Sequence, residues 1–421
     1  MRILLILFSL FFLGKNSFCQ KAEVTYYDDI EIIIANNCMP CHSPGRSAPF
    51  SLTSYEDVAK KGDFIGYVTK TGYMPPWKAD RTFQEYKNER GLTPAEVDRI
   101  QVWVNNGMPK GKKTKRKKEE EIIVQDQPDL VLTMTESYSI PEDSQDDYRF
   151  FTIPTNLLED KYLRKIEFIA QNKKLVHHSR LMTDTSHMVR EINGMSANDP
   201  GINQFEKYPP IDKFLYGWVP GNSAIEFPIG TGKKIHKDTD IILNIHYAPN
   251  SKKNQTDQST INFYFADKIT EREVFSLAIA EDNISNPPFL IKANETKTFY
   301  SSFGPIPIDI SAIGVLPHMH YIGKSFRAFA VTPEGDAINL IKIDSWDFKW
   351  QETYLFKEFQ FIPKNSVIIF EATFDNTSEN PENPNTPPKD IQYGWNTTSE
   401  MMDLVLYYLA YQEGDKGKIN K

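Results

Sequence analysis

The residues of this chain that could do redox chemistry begin with a short cysteine and histidine motif. Cys38 and Cys41 are separated by two residues and are followed directly by His42. This order predicts covalent attachment of a c-type haem, because each thiol can add to a haem vinyl group and the adjacent imidazole can bind the iron. A redox-active dithiol is the alternative, and it is typical of a helix start in a βαβ unit.

A thioether in the following loop is the candidate for the sixth position of that iron. Met74 precedes two prolines, which stiffen the loop, and methionine is the axial ligand that raises the haem potential. Met108, after the next predicted helix, is the rival candidate. We therefore predict one covalent haem c held by Cys38, Cys41, His42 and Met74.

The later histidines form candidate metal ligands, since imidazole is the commonest metal ligand near neutral pH. His318 and His320 would project from one face of a strand, because side-chain direction repeats every two residues. His177 and His178 are neighbours, so they can share an ion only where a strand bulges, twists or ends. A lone strand histidine such as His246 is more often a satisfied polar residue. Spacing alone leaves metal binding and structural roles about equally favoured.

The elements around the cysteine motif are predicted to be short helices. Ile30, Ile33 and Ile34 recur at helical spacing just before the motif. Residues 93–96 read Thr-Pro-Ala-Glu, a capping box with proline at the first helical position, and an Asn-Gly pair at 106–107 ends that helix. Beyond residue 129 the pattern changes to alternation with frequent turns, which predicts short strands in a β-sandwich architecture.

The composition limits the class of protein. The chain has 421 residues, of which 40% are hydrophobic and 25% charged, so it can bury a core and is not disordered throughout. Its net charge of −8 excludes broad nucleic-acid binding through a basic face. With only 3 cysteines it is poor in disulfides, because two of them belong to the haem motif.

The first residues resemble an export signal. Arg2 precedes an apolar run at 3–13, and a short polar stretch ends at Cys19, which is the pattern of a secretory signal peptide. The run is shorter than the roughly 20 residues of a spanning helix. We expect residues 1–19 to be removed, no transmembrane span, and export to the periplasm or cell envelope. A lipid anchor on Cys19 is the minority alternative.

Residues 20–112 resemble the cytochrome c domains attached to larger bacterial envelope enzymes. The shared motifs are Cys-Met-Pro-Cys-His at 38–42, Ala-Pro-Phe-Ser-Leu at 48–52, Met-Pro-Pro-Trp at 74–77 and the terminal helix.

Most of residues 130–411 resembles another family, the copper type II, ascorbate-dependent monooxygenases that include peptidylglycine α-hydroxylating monooxygenase and dopamine β-monooxygenase. The matching motifs, in chain order, are Val176–His178, Gly217–Gly221, Asn244–Tyr247, Pro317–Lys324 and Thr398–Met401.

This resemblance implies two copper ions, one in each of two β-sandwich domains, with ascorbate as a reductant. The ligand types agree, since imidazole suits both oxidation states of copper and a thioether favours Cu(I). Met402 is the rival of the methionine ligand. The electron-storing copper would be bound by His177, His178 and His246, and the oxygen-activating copper by His318, His320 and Met401.

Several positions depart from the peptide-hydroxylating relative. Leu316 stands where that relative has an arginine that holds a substrate carboxylate, and Asp403 and Val405 stand where it has asparagine and tyrosine. Peptide amidation is therefore not expected, and the predicted substrate is an unidentified small molecule. The chain also lacks the disulfides of its secreted relatives.

The predicted fold class is multidomain: a small all-α cytochrome c domain followed by two antiparallel, jelly-roll-like β-sandwich domains. The predicted organisation is a signal peptide (1–19), a cytochrome c domain (20–112), a charged linker (113–128), two copper monooxygenase sandwiches (129–290 and 291–412) and a polar tail (413–421).

We accordingly predict a copper monooxygenase that hydroxylates an organic substrate with O2. The haem is expected to relay electrons to the copper at His177, His178 and His246, supplementing or replacing ascorbate, and a redox partner protein is a further expectation. The alternative is a haem and copper envelope protein that transfers electrons or binds copper without hydroxylation. An open coordination position beside His318, His320 and Met401 would favour the enzyme.

Overall fold

The computed structural model describes most of the chain after residue 22. The predicted signal peptide, including Cys19, and most of the charged linker lie outside the described residues. The described residues are 23–44, 48–87, 89–113, 126–142, 144, 146–197, 199–202, 214–220, 224–266, 272–281, 284–394 and 397–420.

Short helices come first in the chain. None of the described helices is long and apolar enough to cross a membrane. The helical segments are a π-helical turn at Tyr26–Ile30 that continues into α1 (Glu31–Asn37), then α2 (Tyr55–Ala59), α3 (Gly62–Lys70) and α4 (Pro94–Asn105), with a 3-10 turn at Met188–Ile192 among the strands.

The two helices predicted from the sequence are confirmed. The apolar stripe before the cysteine motif forms the π-helical turn and α1, which end next to Cys38. At the start of α4 the Thr93 hydroxyl accepts the backbone N–H of Glu96, and the Glu96 carboxylate accepts the N–H of Thr93. Pro94 occupies the first helical position, so the capping box fixes where this helix begins.

Strands make up the rest of the regular structure. In chain order they are β1 (Leu130–Thr133), β2 (Tyr138–Ile140), β3 (Asp147–Pro154), β4 (Lys161–Ile169), β5 (Val176–Asp184), β6 (Phe214–Trp218), β7 (Ile225–Glu226), β8 (Thr231–Ile235), β9 (Asp240–Tyr247), β10 (Gln255–Asp257), β11 (Thr260–Phe265), β12 (Arg272–Glu273), β13 (Phe275–Ile279), β14 (Leu290–Ile291), β15 (Thr296–Phe303), β16 (Ile310–His318), β17 (Gly323–Val331), β18 (Ala337–Ile343), β19 (Tyr354–Ile362), β20 (Val367–Asp375), β21 (Ile391–Gln392) and β22 (Asp403–Ala410).

Four larger sheets contain most of these strands, and almost all neighbours run antiparallel. The parallel exception is the pair β8 and β12. The sheets have the strand orders β1-β11-β4-β8-β12 (with β7 beside β4), β3-β9-β5-β6, β13-β22-β16-β19 and β15-β20-β17-β18, and two further pairs are β2-β10 and β14-β21.

The sheet that contains β22 is buried on both faces. Successive side chains of β22 alternate between two apolar clusters: Val405 and Tyr407 belong to the first cluster, whereas Leu404 and Leu406 belong to the second. Side chains of a strand point alternately to opposite faces, so this sheet is shared by both clusters. The first cluster also contains the side chains of β3, β5 and β9, and the second contains those of β17 and β20.

The predicted fold class is wrong. The described residues are mostly β, with 39% of them in strands and 13% in helices, and their four larger sheets have a four-bladed, propeller-like arrangement in place of two separate sandwiches. No sizeable all-α cytochrome domain is present among the described residues. The physical reason for the first error is the doubly buried sheet, which joins the two apolar clusters that the prediction assigned to separate domains.

The second error has its cause in the segment between α3 and α4. Ala79 and Tyr86 are buried in the second apolar cluster, among side chains of the sheets. The N–H of Asp80 donates to the carbonyl of Lys342 at 2.7 Å, and the N–H of Lys87 donates to the carbonyl of Leu355 at 2.8 Å. The helices therefore share their connecting segment with the sheets, and their own apolar cluster is small.

Candidate metal sites

Two neighbouring strands bring the first group of candidate ligands together. His178 on β5 lies opposite His246 on β9, and the register of the pair shifts between Val176 and His178. This irregularity is the bulge that adjacent histidines need if both are to face one point. His177 lies within it, and its ring reaches the ring of His178. We call His177, His178 and His246 the three-histidine cluster.

The nitrogens of the three-histidine cluster have the spacing of metal ligands. The Nδ1 atom of His178 lies 3.3 Å from Nδ1 of His177 and 3.4 Å from Nδ1 of His246. One ligand atom from each residue lies within 4.8 Å of the other two. A metal about 2.0–2.1 Å from tetrahedrally arranged imidazole nitrogens holds those nitrogens about 3.3–3.4 Å apart. The cluster therefore fits a single bound cation.

Burial keeps these imidazoles neutral, the state in which they bind metals. Burial and the neighbouring His246 lower the pKa of His177 to about 3. Burial, followed by the other histidines, lowers the pKa of His178 well below its ordinary value. The pKa of His246 is also lowered by burial, although Asp146 opposes this shift. A neutral imidazole presents a lone pair to a cation, so the pocket favours a metal over protons.

Asp146 fixes the orientation of one ring in the cluster. Its Oδ1 atom lies 2.7 Å from Nε2 of His246, and its Oδ2 accepts the hydroxyl of Thr397 at 3.2 Å. A carboxylate only accepts, so Nε2 carries the proton and Nδ1 of His246 keeps its lone pair for a metal. Tyr148 stacks on the same imidazole at a centroid distance of 4.2 Å and holds its plane.

The second group of candidate ligands lies where β16 ends. His318 is the last residue of β16 and lies opposite Asp403 on β22. His320 follows the strand, so the prediction that both histidines share one strand face is wrong. Their ring centroids are nevertheless 5.1 Å apart, with the planes at 85°. Met401 is two residues before β22. We call His318, His320 and Met401 the histidine–methionine set.

In both histidines of this set, Nδ1 makes a hydrogen bond to an oxygen atom. Nδ1 of His318 contacts Oε1 of Gln351, and Nδ1 of His320 lies 3.0 Å from the carbonyl of Ser399. Because these oxygens only accept, each Nδ1 carries the proton and each Nε2 has the lone pair. Nε2 of His318 is buried without a hydrogen-bond partner. An unsatisfied buried acceptor is costly, and a bound cation would satisfy it.

Glu400 connects the backbone around the histidine–methionine set. Its carboxylate accepts the N–H groups of His320 at 2.8 Å, Ile322 at 2.9 Å and Met401 at 3.3 Å. Burial raises the pKa of Glu400 to about 8, whereas these three N–H groups favour its ionised form. One buried side chain thus holds both the histidine turn and the methionine segment in place.

The two methionines that compete for this site have different surroundings. Met402 is fully buried in the second apolar cluster. The sulfur of Met401 instead lies 3.9 Å from Nη1 of Arg180, which is on β5 two residues after His178. The Met401 sulfur therefore lies beside the strand that contributes to the three-histidine cluster.

Phe348 lies between the two groups of ligands. Its ring stacks on His177 at a centroid distance of 5.4 Å and an angle of 16°. The same ring makes edge contacts with His178 at 5.6 Å and His320 at 5.8 Å. One aromatic side chain thus contacts both groups, which face each other from different sheets.

A small cavity of about 40 Å³ borders both groups as well. Arg180 and Asp403 form a long ion pair of 3.8 Å at this cavity. All three positions that depart from the peptide-hydroxylating relative, Leu316, Asp403 and Val405, line it. This chain therefore surrounds the space next to His318 with a leucine, a valine and a paired carboxylate.

The two cysteines of the cysteine motif lie beside the helices and form no disulfide bond. Cys38 and Cys41 are free thiols, and burial raises the pKa of Cys38 to about 12. Nδ1 of His42 lies 3.1 Å from the carbonyl of Phe50. Donation from Nδ1 to a carbonyl is the usual arrangement of a metal-binding histidine, since it leaves Nε2 for the metal.

The two candidate axial methionines also differ. The Met108 sulfur packs so closely on α3 that a side chain at Gly62 would meet it within 2.3 Å. Met74 lies outside the apolar cluster of the helices and directly before Pro75 and Pro76. The Met108 side chain is thus packed against α3.

Asp146, Gln351, Phe348 and Arg180 were not found from the sequence. Gln351 and Phe348 contact histidines far away in the chain, and no period or motif marks them. Asp146 gave at most a weak signal, as a carboxylate two residues before Tyr148. His187 and His236, outside the ligand groups, have Asp240 and Asp160 as neighbours, respectively.

No family model matches this chain. The chain is 26% identical over 242 residues to the Homo sapiens protein named "Putative DBH-like monooxygenase protein 2". That match covers 53% of this chain and 46% of the human protein, so the chain spans about half the length of this curated relative.

Solved structures give only weak likenesses. The major capsid protein P2 of bacteriophage PM2 is 7% identical with a TM-score of 0.27, and the match covers 68% of this chain and 98% of that chain. Allantoicase is 9% identical with a TM-score of 0.17, over 57% of this chain and 80% of that chain. At these scores neither likeness bears on fold or function. The relationship that remains is a distant similarity to a DBH-like monooxygenase over about half of this chain.

Proposed function

We propose that this chain is a copper-dependent monooxygenase that hydroxylates a small organic substrate with O2. The observation that carries the proposal is the convergence of the three Nδ1 atoms of the three-histidine cluster opposite the histidine–methionine set. The distant similarity to a DBH-like monooxygenase supports the same reaction class. Overall, R–H, O2, two electrons and two protons would give R–OH and water.

Copper bound at both groups of ligands would supply the oxygen activation and the electron storage of this reaction. Nitrogen ligands alone suit a copper that changes oxidation state, whereas two imidazoles and a thioether favour Cu(I), the form that reacts with oxygen. The chain has one group of each type. We therefore assign storage to the three-histidine cluster and hydroxylation to the histidine–methionine set.

The surrounding side chains orient these ligands. Asp146 holds the Nε2 proton of His246, and Gln351 does the same for the Nδ1 proton of His318. Outer-shell partners of this kind fix ring orientation and raise ligand basicity. Phe348 contacts His177 of one group and His320 of the other. The substrate would approach the cavity bordered by Arg180 and Asp403.

We further propose that Cys38, Cys41 and His42 hold a covalent haem c that delivers electrons, with Met74 as the sixth ligand. Support comes from the C-x-x-C-H order and from the Nδ1 contact of His42 with the Phe50 carbonyl. Ascorbate or a partner protein would then be the external reductant, and residues 1–19 would direct export. A second candidate function is electron transfer or copper binding without hydroxylation.

The experiment that tests the proposal measures metal content and oxygen consumption together. Full-length protein matured with haem and loaded with copper should contain two coppers per haem and consume O2 when given reductant. The His318→Ala and Met401→Leu variants should lose this consumption. Haem without stoichiometric copper, or oxygen uptake unaffected by either variant, would reject the hydroxylase proposal.

A further inference from the structure

A cavity of about 390 Å³ lies between the helical region and the sheets. On the helical side it is lined by Cys41 of the cysteine motif and by Pro75 and Pro76, the residues after Met74. On the sheet side it is lined by Glu352 and Thr353, just before β19. One attachment cysteine and the two prolines after the proposed axial ligand therefore border the same space.

The charged residues that line this cavity are the cations Lys87 and Arg90 and the carboxylates Glu89 and Glu352. The Arg90 guanidinium lies on the cavity wall and forms an ion pair with the buried carboxylate of Glu352. Lys87 also lines the cavity but is exposed to solvent. A cation that is largely shielded from solvent, as Arg90 is with 24% of its side chain exposed, acts on a nearby redox group more strongly than an exposed one, which solvent and salt screen.

The sheet side of this cavity continues directly into the histidine–methionine set. Glu352 lines the cavity, and the residue before it, Gln351, contacts Nδ1 of His318 through its Oε1. The peptide bond between Gln351 and Glu352, the side chain of Gln351 and one hydrogen bond thus connect the cavity wall with a proposed copper ligand. Gln351 is buried and also donates to the carbonyl of Phe348 at 2.9 Å, so its position is fixed.

The connection from the cavity to the three-histidine cluster is longer. Tyr216 on β6 lines the cavity and pairs with Leu181 on β5, and the chain must then be followed back to His178. This path crosses a strand pair and several further residues. By the number of bonds, the histidine–methionine set is the nearer acceptor for an electron that leaves the cavity.

We infer that this cavity receives the haem attached at Cys41 and that electrons leave it through Glu352 and Gln351 to His318. The inference rests on the proposed function and changes the sequence-based expectation, in which the haem supplies the three-histidine cluster. In each transfer one electron passes from ferrous haem, which becomes ferric, to Cu(II) at the histidine–methionine set, which becomes Cu(I). An external one-electron donor then reduces the haem again.

The test follows electron transfer within the full-length protein in the absence of O2. Protein with ferric haem and Cu(II) at both sites receives less than one equivalent of a photochemically generated one-electron reductant. Haem absorbance reports the decay of ferrous haem, and electron paramagnetic resonance of quenched samples reports which Cu(II) is lost. In the wild type we expect ferrous haem to decay as the Cu(II) signal of the histidine–methionine set falls first.

Two matched ligand variants separate the routes. In His318→Ala, ferrous haem should persist although Cu(II) remains in the three-histidine cluster, whereas His177→Ala should retain the decay. Gln351→Leu, which leaves all copper ligands in place, should slow the decay. Decay that is retained in His318→Ala, or no decay in a wild-type protein with both coppers bound, would overturn the inference.

The haem potential tests the cavity independently of copper. Arg90→Gln should lower the reduction potential of the haem, because a partly shielded positive charge nearby favours the reduced iron, and Arg90→Lys should restore most of it. Lys87→Gln is the control and should change little, since its charge is exposed. An unchanged potential in Arg90→Gln would show that the haem lies elsewhere.

These outcomes are distinct from failure of the proposed function. If copper does not bind at two sites per chain, or if bound copper consumes no O2, the hydroxylase proposal fails whatever the haem does. If both coppers bind and oxygen is consumed, but electrons reach the three-histidine cluster first, only the route inferred from the cavity is rejected.

Discussion

The three-histidine cluster and the histidine–methionine set would present opposite ring nitrogens to a bound metal. In the cluster Nδ1 atoms converge at 3.3 and 3.4 Å, and His246 has its Nε2 held by Asp146. In the other set Nδ1 of His318 and of His320 are held by oxygens, and Nε2 atoms are left for the metal. The chain thus uses outer partners to select a different tautomer at each site.

This difference separates a closed site from an open one. Nδ1 of His178 already has the spacing of a co-ligand from Nδ1 of both other histidines of the cluster, and the ring of Phe348 stacks on His177. The histidine–methionine set has only two nitrogens and one sulfur, and a cavity adjoins it. Storage of an electron needs a fixed ligand geometry, whereas catalysis needs an open coordination position.

The largest expected effect comes from removing a ligand of the open site, the histidine–methionine set. His318→Ala removes one of the two proposed nitrogen ligands, so one copper per chain should remain. Loss of a side chain that only orients a ligand costs up to roughly 100-fold in activity, and loss of a ligand itself should lower O2 consumption by more than that. Metal analysis and oxygen-electrode measurements check this. Met401→Leu is the matched variant, because leucine keeps the volume without the sulfur. Full oxygen consumption in either variant would contradict the assignment of the open site.

Removal of the Phe348 ring, which contacts both groups of ligands, tests whether the two sites depend on the same side chain. Phe348 is 4% exposed and contacts histidines of both groups. Phe348→Ala should lower the free energy of unfolding of the copper-free protein by about 3–5 kcal/mol, because it leaves a cavity in a packed region. Urea unfolding measures this loss, and with copper bound the spectra of both sites should change. Phe64→Ala, at a 51% exposed position, is the control and should lower the free energy of unfolding little. Equal losses in the two variants would show that Phe348 does not support both sites.

The sequence contains the local elements and the candidate ligands but not the way they assemble. The capping box at Thr93 and the stripe before Cys38 predicted two helices because their signals lie within a few residues. The order of candidate ligands was also readable, since each lies in a short motif. Whether these residues bind copper stays a prediction.

The fold class was not predictable in the same way. Alternation shows that a segment is a strand, but not which sheet lies against its second face. The nearly continuous apolar run of β22 was the available sign that its sheet is buried on both sides. Contacts such as Gln351 with His318, 33 residues apart in the chain, have no pattern that could show them.

A smaller effect should distinguish the outer partners of the two sites. Asp146→Asn keeps the shape of the side chain but removes the charge that accepts from His246. Copper affinity of the three-histidine cluster should fall about 10–100-fold, while that of the histidine–methionine set is retained. Titration against a competing chelator measures both affinities. Asp160→Asn, next to the exposed His236, is the control. Equal loss at both sites would mean that Asp146 acts on the fold as a whole.

The smallest expected effect is a pH dependence of the copper-free protein that arises in the closed site. The folded pKa of His177 is about 3, below the ordinary value of 6.5, chiefly because of burial. Between these values the unfolded chain binds more protons than the folded one, so the free energy of unfolding should rise with pH from about 3 to 6.5 and then level off. Urea unfolding at several pH values measures this slope, and His177→Asn should reduce it. His236→Asn, at an exposed position, is the control. A slope that is unchanged in His177→Asn would mean that burial does not hold the His177 ring neutral.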